Sequence, residues 1–355
     1  MHELPVWSFV DGRPECRARI RSVPEDFRVD ELLGFSADGE GEHLLLQVEK
    51  RGANTAWVAR ELARIAGVRS RDVSYAGRKD RNAVTTQHFT LWLGKRPEPD
   101  WAAHADQEYR VLSSVRHRRK LRLGALAGNR FRLVLRDLSE PATRFETRLR
   151  RIREQGVPNY FGSQRFGRGG NNITNAERFF ADPRSIRDRD LRSLLLSTAR
   201  SLIFNAVLSE RVAQGTWDTA IQGEACMLEG SHSVFRSAEV DATLRSRVGS
   251  GDVHPTGPLW GEGDTLVSGE AAMLETRVAQ QHPVLARGLE AAGLAAARRA
   301  LRLPVPDLRW QSEDEGTLTL EFFLPAGAYA TTVLRELIEI IENPAAGASN
   351  DAEED

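Results

Sequence analysis

The sequence predicts an α+β protein in which two strand-rich segments flank a helix-rich block. Short runs of alternating apolar and polar residues, typical of half-buried strands, occur up to about residue 136 and again from about residue 318. Between about residues 185 and 302 the apolar residues recur instead at helical spacing. This order of elements is expected when one domain is inserted into another that is built on a sheet.

In the first segment, from about residue 20 to residue 67, we predict two strands followed by a helix. One strand has apolar residues at every second position, namely Leu44, Leu46 and Val48. The helix begins after Asn54, a good N-cap residue, and ends at Gly67. Its apolar face contains Val58, Leu62 and Ile65.

Three further alternating runs predict strands at residues 87–93, 130–136 and 318–324. In the second of these, arginines alternate with the apolar residues Phe131, Leu133 and Leu135. After the break at Pro325 and Gly327 we predict a helix whose inward residues are Val333, Leu334, Leu337 and Ile341.

The middle block is predicted to contain two long helices, one from about residue 185 to residue 213 and one from about residue 271 to residue 302. The stretch 249–263 between them is rich in Gly, Pro and Asp and is predicted to be a loop. The small polar residues after Asn343 predict a disordered acidic tail over residues 343–355.

Composition indicates an ordinary soluble globular protein, since 41% of the 355 residues are hydrophobic and 28% are charged. No apolar stretch approaches the length needed to cross a bilayer, and the first ten residues lack a signal-peptide pattern. We therefore expect no membrane contact and a cytoplasmic location.

The net charge of −1 argues against a nucleic-acid partner, but the charge is unevenly distributed. Residues 116–122 are densely basic, whereas residues 351–355 are acidic. Because phosphate binding depends on a local patch and not on the total charge, RNA binding remains open.

The densest group of reactive side chains lies at residues 75–85. Asp80 stands there among Arg78, Lys79 and Arg81. Nearby cations favour an ionised carboxylate, which cannot act as a general acid but can act as a nucleophile or electrostatic stabiliser. The alternative is a solvated turn with weak surface ion pairs.

Two rival chemistries lack the residues they need. No cluster of His, Cys and carboxylates has metal-ligand spacing, so we expect no metal. No phosphate-binding glycine loop opens a helix, so we expect no nucleotide cofactor.

Residues 77–85, which contain Asp80, resemble the catalytic motif of the tRNA pseudouridine synthase D (TruD) family. Further stretches resemble other motifs of that family, and they occur in family order over nearly the whole chain. They are residues 24–27, 38–43, 54–55, 116–124, 128–131, 157–167, 324–331 and 335–337. The ordered set is far more specific than the Lys-Asp core alone.

The resemblance implies an enzyme that converts uridine, at position 13 of certain tRNAs, to pseudouridine without cofactor or metal. Asp80 corresponds to its nucleophile. The carboxylate would attack either C1′ of the ribose or C6 of the base, and the sequence leaves this choice open. The detached uracil then rotates and rejoins the ribose through C5, after which the C5 proton is removed.

The resemblance also implies a pocket that binds the flipped base through an apolar face and polar contacts. Phe131 would supply the stacking face and Asn129 a hydrogen bond, with Phe27 and Tyr329 at further aromatic positions. Without the resemblance, Phe131 is better explained as a core residue and Asn129 as a turn residue after Gly128. Tyr329 departs from the phenylalanine familiar in the family.

Two cations are expected beside the pocket. Lys79 would contact phosphate or position the loop, and Arg21 stands where lysine is familiar, which keeps the charge but changes the donor geometry. Two further residues depart from the family pattern: Arg78 stands where glutamine is usual and Asn82 where histidine is usual. Both changes affect specific contacts of the loop that contains Asp80.

A set of cations is expected to contact the RNA backbone with an affinity that falls with salt. These residues are Arg78, Arg81, Arg116, Arg118, Arg119, Lys120 and Arg122. The alternative for the basic run is an arginine-rich surface strand.

The family resemblance implies a catalytic domain built on a mixed, largely antiparallel pseudouridine-synthase sheet. It also implies that a helix-rich domain is inserted into this catalytic domain. We place the catalytic domain at residues 1–158 and 305–342 and the inserted domain at residues 159–304. The cleft between the two domains is expected to contain Asp80 and to bind tRNA. We expect the protein to be a monomer. Two other functions are weighed: an RNA-binding protein or RNA chaperone that has lost catalysis, and an Asp-nucleophile phosphoesterase, which would need a magnesium-binding carboxylate cluster.

Overall fold

The computed structural model describes residues 5–341, so the predicted disordered tail lies outside the described residues. Within this range the α-helices are α1 (Thr55–Ile65), α2 (Glu146–Gln155), α3 (Asn171–Ala181), α4 (Arg189–Ala213), α5 (Ala242–Ser250), α6 (Gly269–Gln280), α7 (Pro283–Ala291) and α8 (Ala330–Leu334). The strands are β1 (Arg17–Arg19), β2 (Phe27–Leu32), β3 (His43–Arg51), β4 (Val73–Tyr75), β5 (Val84–Trp92), β6 (Tyr109–His117), β7 (Gly128–Leu135), β8 (Val157–Pro158), β9 (Ala225–Leu228), β10 (Val234–Arg236), β11 (Val253–Leu259), β12 (Ala297–Ala300), β13 (Arg302–Leu303), β14 (Arg309–Asp314), β15 (Thr317–Pro325) and β16 (Glu339–Ile341).

The chain forms two compact units. Within the described residues, the helical unit contains residues 5–14, Arg150–Val305 and Ala328–Leu337. The sheet unit contains Glu15–Leu149, Pro306–Gly327 and residues 338–341. The domain bounds inferred from the sequence, residues 1–158 and 305–342 for the catalytic domain and 159–304 for the inserted domain, stay a prediction.

The sheet unit is built on an eight-stranded sheet. Its strand order is β14-β15-β7-β2-β5-β3-β6, with β4 paired to the later part of β5. The β2–β5 pair is parallel and the other pairs of this sheet are antiparallel. The predicted α+β class with a mixed, largely antiparallel sheet is therefore confirmed.

The predicted alternation is present in the strands that carry the core. On β7, Phe131, Leu133 and Leu135 are buried, whereas Arg130 and Arg132 are exposed. The apolar face of α1 packs against the same face of the sheet, joining Val58 and Leu62 to the buried side chains of β3 and β5. Burial of one face of each strand sets its register, since a slip of one residue would expose the apolar set.

The helical unit contains α3, α4, α6 and α7, which share a buried cluster that includes Leu195, Ile203 and Leu289. A four-stranded sheet of order β10-β9-β11-β12 accompanies the helices. Helix α4 begins at Arg189 and not near residue 185, because the Asp188 side chain caps it: its Oδ1 accepts the backbone N–H of Asp190 at 2.7 Å and of Leu191 at 3.0 Å.

The single helix predicted for residues 271–302 is wrong. The segment forms α6 and α7 and then turns into β12 and β13. Pro283 is the first residue of α7, a position where proline's missing N–H costs nothing, and it separates the two helices.

The loop predicted at residues 249–263 is also wrong, because it contains β11. This strand pairs with β9 over its first half and with β12 over its second half. Among residues 5–341 each half pairs with one named strand, although Leu301 N–H also donates to Pro255 O, and Pro255 and Pro258 are tolerated where one side of a strand is not fully paired.

The final predicted helix is shorter than expected. Helix α8 ends at Leu334, and Ile341 lies in β16, which pairs in parallel with β1. The expectation that no apolar stretch reaches bilayer length was wrong for α4, which is long and apolar enough by composition. However, 56% of its apolar window is buried inside the protein, and a buried core helix meets the same criterion.

Candidate active site

Asp80 lies in the loop that leads from β4 to β5, and its side chain is 35% exposed. Its Oδ2 accepts a hydrogen bond from Arg21 Nη2 at 2.6 Å, and its Oδ1 accepts the backbone N–H of Asn82 at 2.9 Å. The carboxylate is thus oriented by two donors while part of it faces solvent.

Arg21 joins this carboxylate to an aromatic surface. Its guanidinium carbon lies 4.0 Å from the centroid of the Phe27 ring, within the range of a cation–π contact. Its backbone is left-handed, with φ of 57°, which is strained for a residue with a side chain. Its Nε is buried and has no hydrogen-bond partner among the described residues. Strained backbone of this kind is concentrated at functional sites.

Three buried phenylalanines continue from Arg21 across the sheet, with Phe27 5% exposed and Phe131 7% exposed. The Phe27 and Phe131 rings meet edge to face at 6.3 Å, and Phe131 stacks on Phe322 at 5.5 Å. Asn129 lies two residues from Phe131 along β7, on the same face, and its Oδ1 is buried without a partner in the described part of the chain. An aromatic wall therefore ends beside an amide oxygen that has unused hydrogen-bonding capacity.

Lys79 points away from solvent. Its Nζ lies 2.5 Å from Oε2 of Glu31, and the two side chains are 9% and 0% exposed. Glu31 Oε1 also accepts the backbone N–H of His88 at 3.0 Å. Burial raises the pKa of Glu31, but the His88 hydrogen bond and the charge of Lys79 outweigh it and leave the pKa below its usual value. Of the two roles predicted for Lys79, these contacts fit the positioning of the loop.

Three buried polar residues for which the sequence predicted no role in the site also contact this loop: Lys50, Thr55 and Gln87. A signal for two of them was present. Lys50 continues the every-second-residue pattern of the buried leucines of β3, and Gln87 continues that of Phe89 and Leu91 on β5. A polar residue at a buried position near a strand end must find partners, and here the partners are in the Asp80 loop.

The model of the tRNA pseudouridine synthase D (TruD) family matches residues 6–175 and 183–337 of the chain. A tRNA pseudouridine synthase D of Methylococcus capsulatus is 51% identical over 328 residues, which cover 92% of this chain and 93% of the relative. One of Xanthomonas euvesicatoria is 48% identical and covers 96% and 97%. This chain belongs to the tRNA pseudouridine synthase D family.

The fold of the family is also found in a solved structure from Methanosarcina mazei that is described as a tRNA pseudouridine synthase D. It has a TM-score of 0.72 to this chain and covers 98% of this chain and 97% of its own. At 22% identity this likeness shows the fold.

Tyr329, where phenylalanine is familiar in the family, lies in the helical unit. Its hydroxyl accepts a hydrogen bond from Arg165 Nη2 at 2.8 Å, and its ring meets Phe161 edge to face at 6.4 Å. The additional hydroxyl therefore has a partner within its own unit. The pocket role of Tyr329 stays a prediction.

The basic run does not form one uniform surface. Arg116 belongs to β6 and donates to the backbone oxygens of Gly94 and Arg96, and Lys120 donates to Arg71. Arg118 pairs with Glu40 at the surface, whereas Arg119 and Arg122 are exposed.

The end of the run adjoins the chain that leads to Asp80, since Gly124 donates its N–H to Ala76 O at 2.7 Å. Of the two arginines that flank Lys79 and Asp80, Arg78 is exposed and Arg81 donates Nε to Gly52 O at 3.3 Å. Among residues 5–341, no group of three His, Cys, Asp or Glu side chains is arranged to hold a metal ion.

Proposed function

We propose that this chain is a tRNA pseudouridine synthase that isomerises uridine to pseudouridine, with Asp80 as its nucleophile. The observation that carries the proposal is the placement of Asp80. Its partly exposed carboxylate is oriented by Arg21 at 2.6 Å, and the same guanidinium covers Phe27 at the end of the aromatic wall. Relatives at 48–51% identity over nearly the whole chain bear the name of this activity.

The reaction needs a nucleophile but no net oxidation. The Asp80 carboxylate adds to ribose C1′ or to uracil C6, the bond between C1′ and N1 breaks, and a bond between C1′ and C5 forms. The bond between the Asp80 oxygen and that carbon breaks again, which frees the carboxylate, the C5 proton leaves and N1 gains a proton, so that atoms and electrons balance. An ionised carboxylate suits either route, because both electrophilic carbons accept an anionic oxygen.

The neighbouring residues provide what a flipped base requires. Phe131 and Phe27 offer an apolar face, and the buried Oδ1 of Asn129 offers an acceptor for an N–H of the uracil edge. Arg21 holds the carboxylate in place through the hydrogen bond from its Nη2 to Oδ2.

We further propose that the substrate is a folded tRNA, modified at position 13, and that a cytoplasmic monomer acts on it. The exposed Arg119 and Arg122, together with Arg78, are suited to RNA phosphates. Exposed ion pairs such as Arg118–Glu40 contribute little stability, so Arg118 can exchange its carboxylate for a phosphate.

The test is pseudouridine formation in an unmodified tRNA transcript, mapped by carbodiimide-stop primer extension. We expect a single stop with the wild type and none with Asp80→Asn, which keeps the size of the side chain, while both proteins bind tRNA equally. Binding of tRNA without a stop from the wild type would disprove the proposal and favour the RNA-binding alternative. Indifference to EDTA is expected, whereas a phosphoesterase that depends on magnesium would lose activity.

A further inference from the structure

Lys50 is a buried lysine that contacts the backbone of the proposed nucleophile. The residue is 1% exposed and lies on β3. Its Nζ donates to Ala53 O at 2.8 Å, to Asp80 O at 2.9 Å and to Lys79 O at 3.4 Å. An ammonium group has three donors, and these three carbonyl oxygens use all of them.

No carboxylate pairs with Lys50 among the described residues, since its hydrogen-bond partners are all backbone oxygens. Burial of a charge without a paired carboxylate is costly, and a buried apolar residue of similar size would avoid the cost. The position follows directly on the buried Leu44, Leu46 and Val48 of the same strand face, where an apolar side chain would be ordinary. A buried lysine here therefore requires an explanation beyond packing.

Two further buried side chains hold the same loop from its other end. Thr55 Oγ1 accepts the backbone N–H of Lys79 at 3.0 Å and donates to Gln87 Oε1 at 3.0 Å. Gln87 in turn donates its Nε2 to the backbone oxygen of Gly77. Thr55 is 3% exposed and Gln87 is 0% exposed, so water does not compete for these bonds. The backbone from Gly77 to Asp80 is thus anchored to three different elements: β3, α1 and β5.

We propose that Lys50 is a positioning residue for the Asp80 nucleophile, acting through its hydrogen bonds to the backbone oxygens of Lys79 and Asp80. The inference rests on the proposed function. Lys50 touches no reacting atom; it holds the peptide that carries the carboxylate. A displacement of about 1 Å at a reacting group can lower a rate about 100-fold, so loss of this anchor is expected to affect the rate of reaction and not the binding of tRNA.

The contacts also predict how activity depends on pH. Burial lowers the pKa of Lys50 to about 8, while the charge of Asp80 raises it and the charge of Lys79 lowers it. Tyr109 lies opposite Lys50 on β6, and its own pKa is raised, chiefly by burial, so it remains neutral over this range. The neighbour on β5 is Thr85, which carries no charge. Loss of the Lys50 proton removes one donor and the charge, so the rate should decline above about pH 8.

The experiment measures single-turnover pseudouridine formation by the full chain on a tRNA transcript between about pH 6.5 and pH 9.5, a range centred on the lysine's lowered pKa. The variants are Lys50→Met, which keeps the length of the side chain without its charge, and Lys50→Arg, which keeps the charge. Lys95→Met is the control, because Lys95 is exposed and outside the site. We expect Lys50→Met to lose about 100-fold in rate with unchanged tRNA affinity. Lys50→Arg should recover part of the rate, and its alkaline decline should move to higher pH, since a guanidinium does not titrate there.

The inference is overturned if folded Lys50→Met keeps a rate within about twofold of the wild type, a change far below the expected loss. It is equally overturned if Lys50→Arg shows the same alkaline decline as the wild type. Should Lys50→Met not fold, Thr55→Val, which is similar in size, takes its place. A reduced rate with an unaltered alkaline decline then supports the anchored loop, and a wild-type rate opposes it. If neither the wild type nor Lys95→Met forms pseudouridine, the proposed function itself fails, and the inference with it.

Discussion

Arg21 reaches Asp80 from a strained backbone: its Nη2 lies 2.6 Å from Oδ2 of Asp80, and its φ is 57°. The left-handed conformation carries a cost that a glycine would not pay. The same side chain covers the Phe27 ring at 4.0 Å, so the conformation brings one guanidinium against both a carboxylate and an aromatic face. The strain is therefore found where the proposed nucleophile is oriented.

Because the backbone at Arg21 is strained, substitutions at this position should affect activity and stability differently. Arg21→Ala and Arg21→Gly both remove the guanidinium, and we expect each to lose about 10- to 100-fold in pseudouridine formation, the equivalent of one charge-assisted hydrogen bond. Arg21→Gly should nevertheless be more stable than Arg21→Ala by about 1 kcal/mol, because glycine adopts positive φ without strain. Urea unfolding of both variants measures the difference. Equal stability of the two would show that the backbone at this position is not strained.

The buried Lys79–Glu31 pair predicts that the free energy of unfolding decreases at acidic pH. Glu31→Gln leaves the ammonium without its carboxylate, and we expect a loss of about 3 kcal/mol at neutral pH. The folded-state pKa of Glu31 lies below its usual value of 4.5, so the contribution is complete above that pH and is lost as the pH falls through the folded-state value. The difference between wild type and variant should shrink below pH 4.5.

A matched control is Glu25→Gln, which breaks the exposed Arg51–Glu25 pair of the same unit. Its effect should be far smaller, because exposed ion pairs are screened by water and salt. A Glu31→Gln variant that unfolds at the same urea concentration as the wild type would contradict the assigned pair.

Lys50 predicts opposite trends for activity and stability in mild alkali. Its pKa is lowered from 10.5 to about 8 in the folded protein, so between these values the unfolded chain binds a proton that the folded chain does not. Stability attributable to Lys50 must then rise with pH, by up to about 1.4 kcal/mol per pH unit. We expect the wild type to gain stability relative to Lys50→Met from about pH 8 upward while its activity declines. Parallel curves for the two proteins would mean that Lys50 titrates normally.

The basic run predicts which arginines bind RNA. Arg119→Gln and Arg122→Gln should weaken tRNA binding and lower the slope of log affinity against log salt by about one each, because each removes a free phosphate contact. Arg116→Gln should change the slope less, since Arg116 already donates to the oxygens of Gly94 and Arg96. Fluorescence anisotropy with labelled tRNA at several salt concentrations measures all three. An equal effect of Arg116→Gln would assign the whole run to the RNA surface.

Alternation predicted the sheet where one face of a strand is buried and the other is not. This condition holds for β7, with Phe131, Leu133 and Leu135 inward, and for β15 beside it. The condition does not hold for β11, in which all but the last residue are buried and no alternation is visible. Its glycine and prolines are typical of a loop, and for this reason the strand was not predicted. The helical spacing at residues 271–302 was misleading for a different reason, because Pro283 divides one apolar pattern into α6 and α7.

The sequence singles out Asp80, the proposed nucleophile, but not the residues that support its loop. Asp80 stands out because it lies among cations, and local sequence shows that. Lys50 and Glu31 are far from Asp80 in sequence, and only the pairing of β3, β5 and β2 brings them to the loop. Lys79 was assigned either to phosphate or to the loop because its partner Glu31 lies 48 residues away.

The pairing of β7 with β15 has a consequence for folding during translation. Phe131 stacks on Phe322, and β15 lies along β7 from Leu318 opposite Leu135 to Pro325 opposite Gly128. A nascent chain contains Asp80, Arg21 and Phe131 long before β15 has been made. The aromatic wall is therefore incomplete until translation has passed through the helical-unit segment Arg150–Val305 and beyond Pro325. The order of synthesis therefore makes β15 the last strand of the aromatic wall to be available, and the wall can form only after Phe322 has been translated.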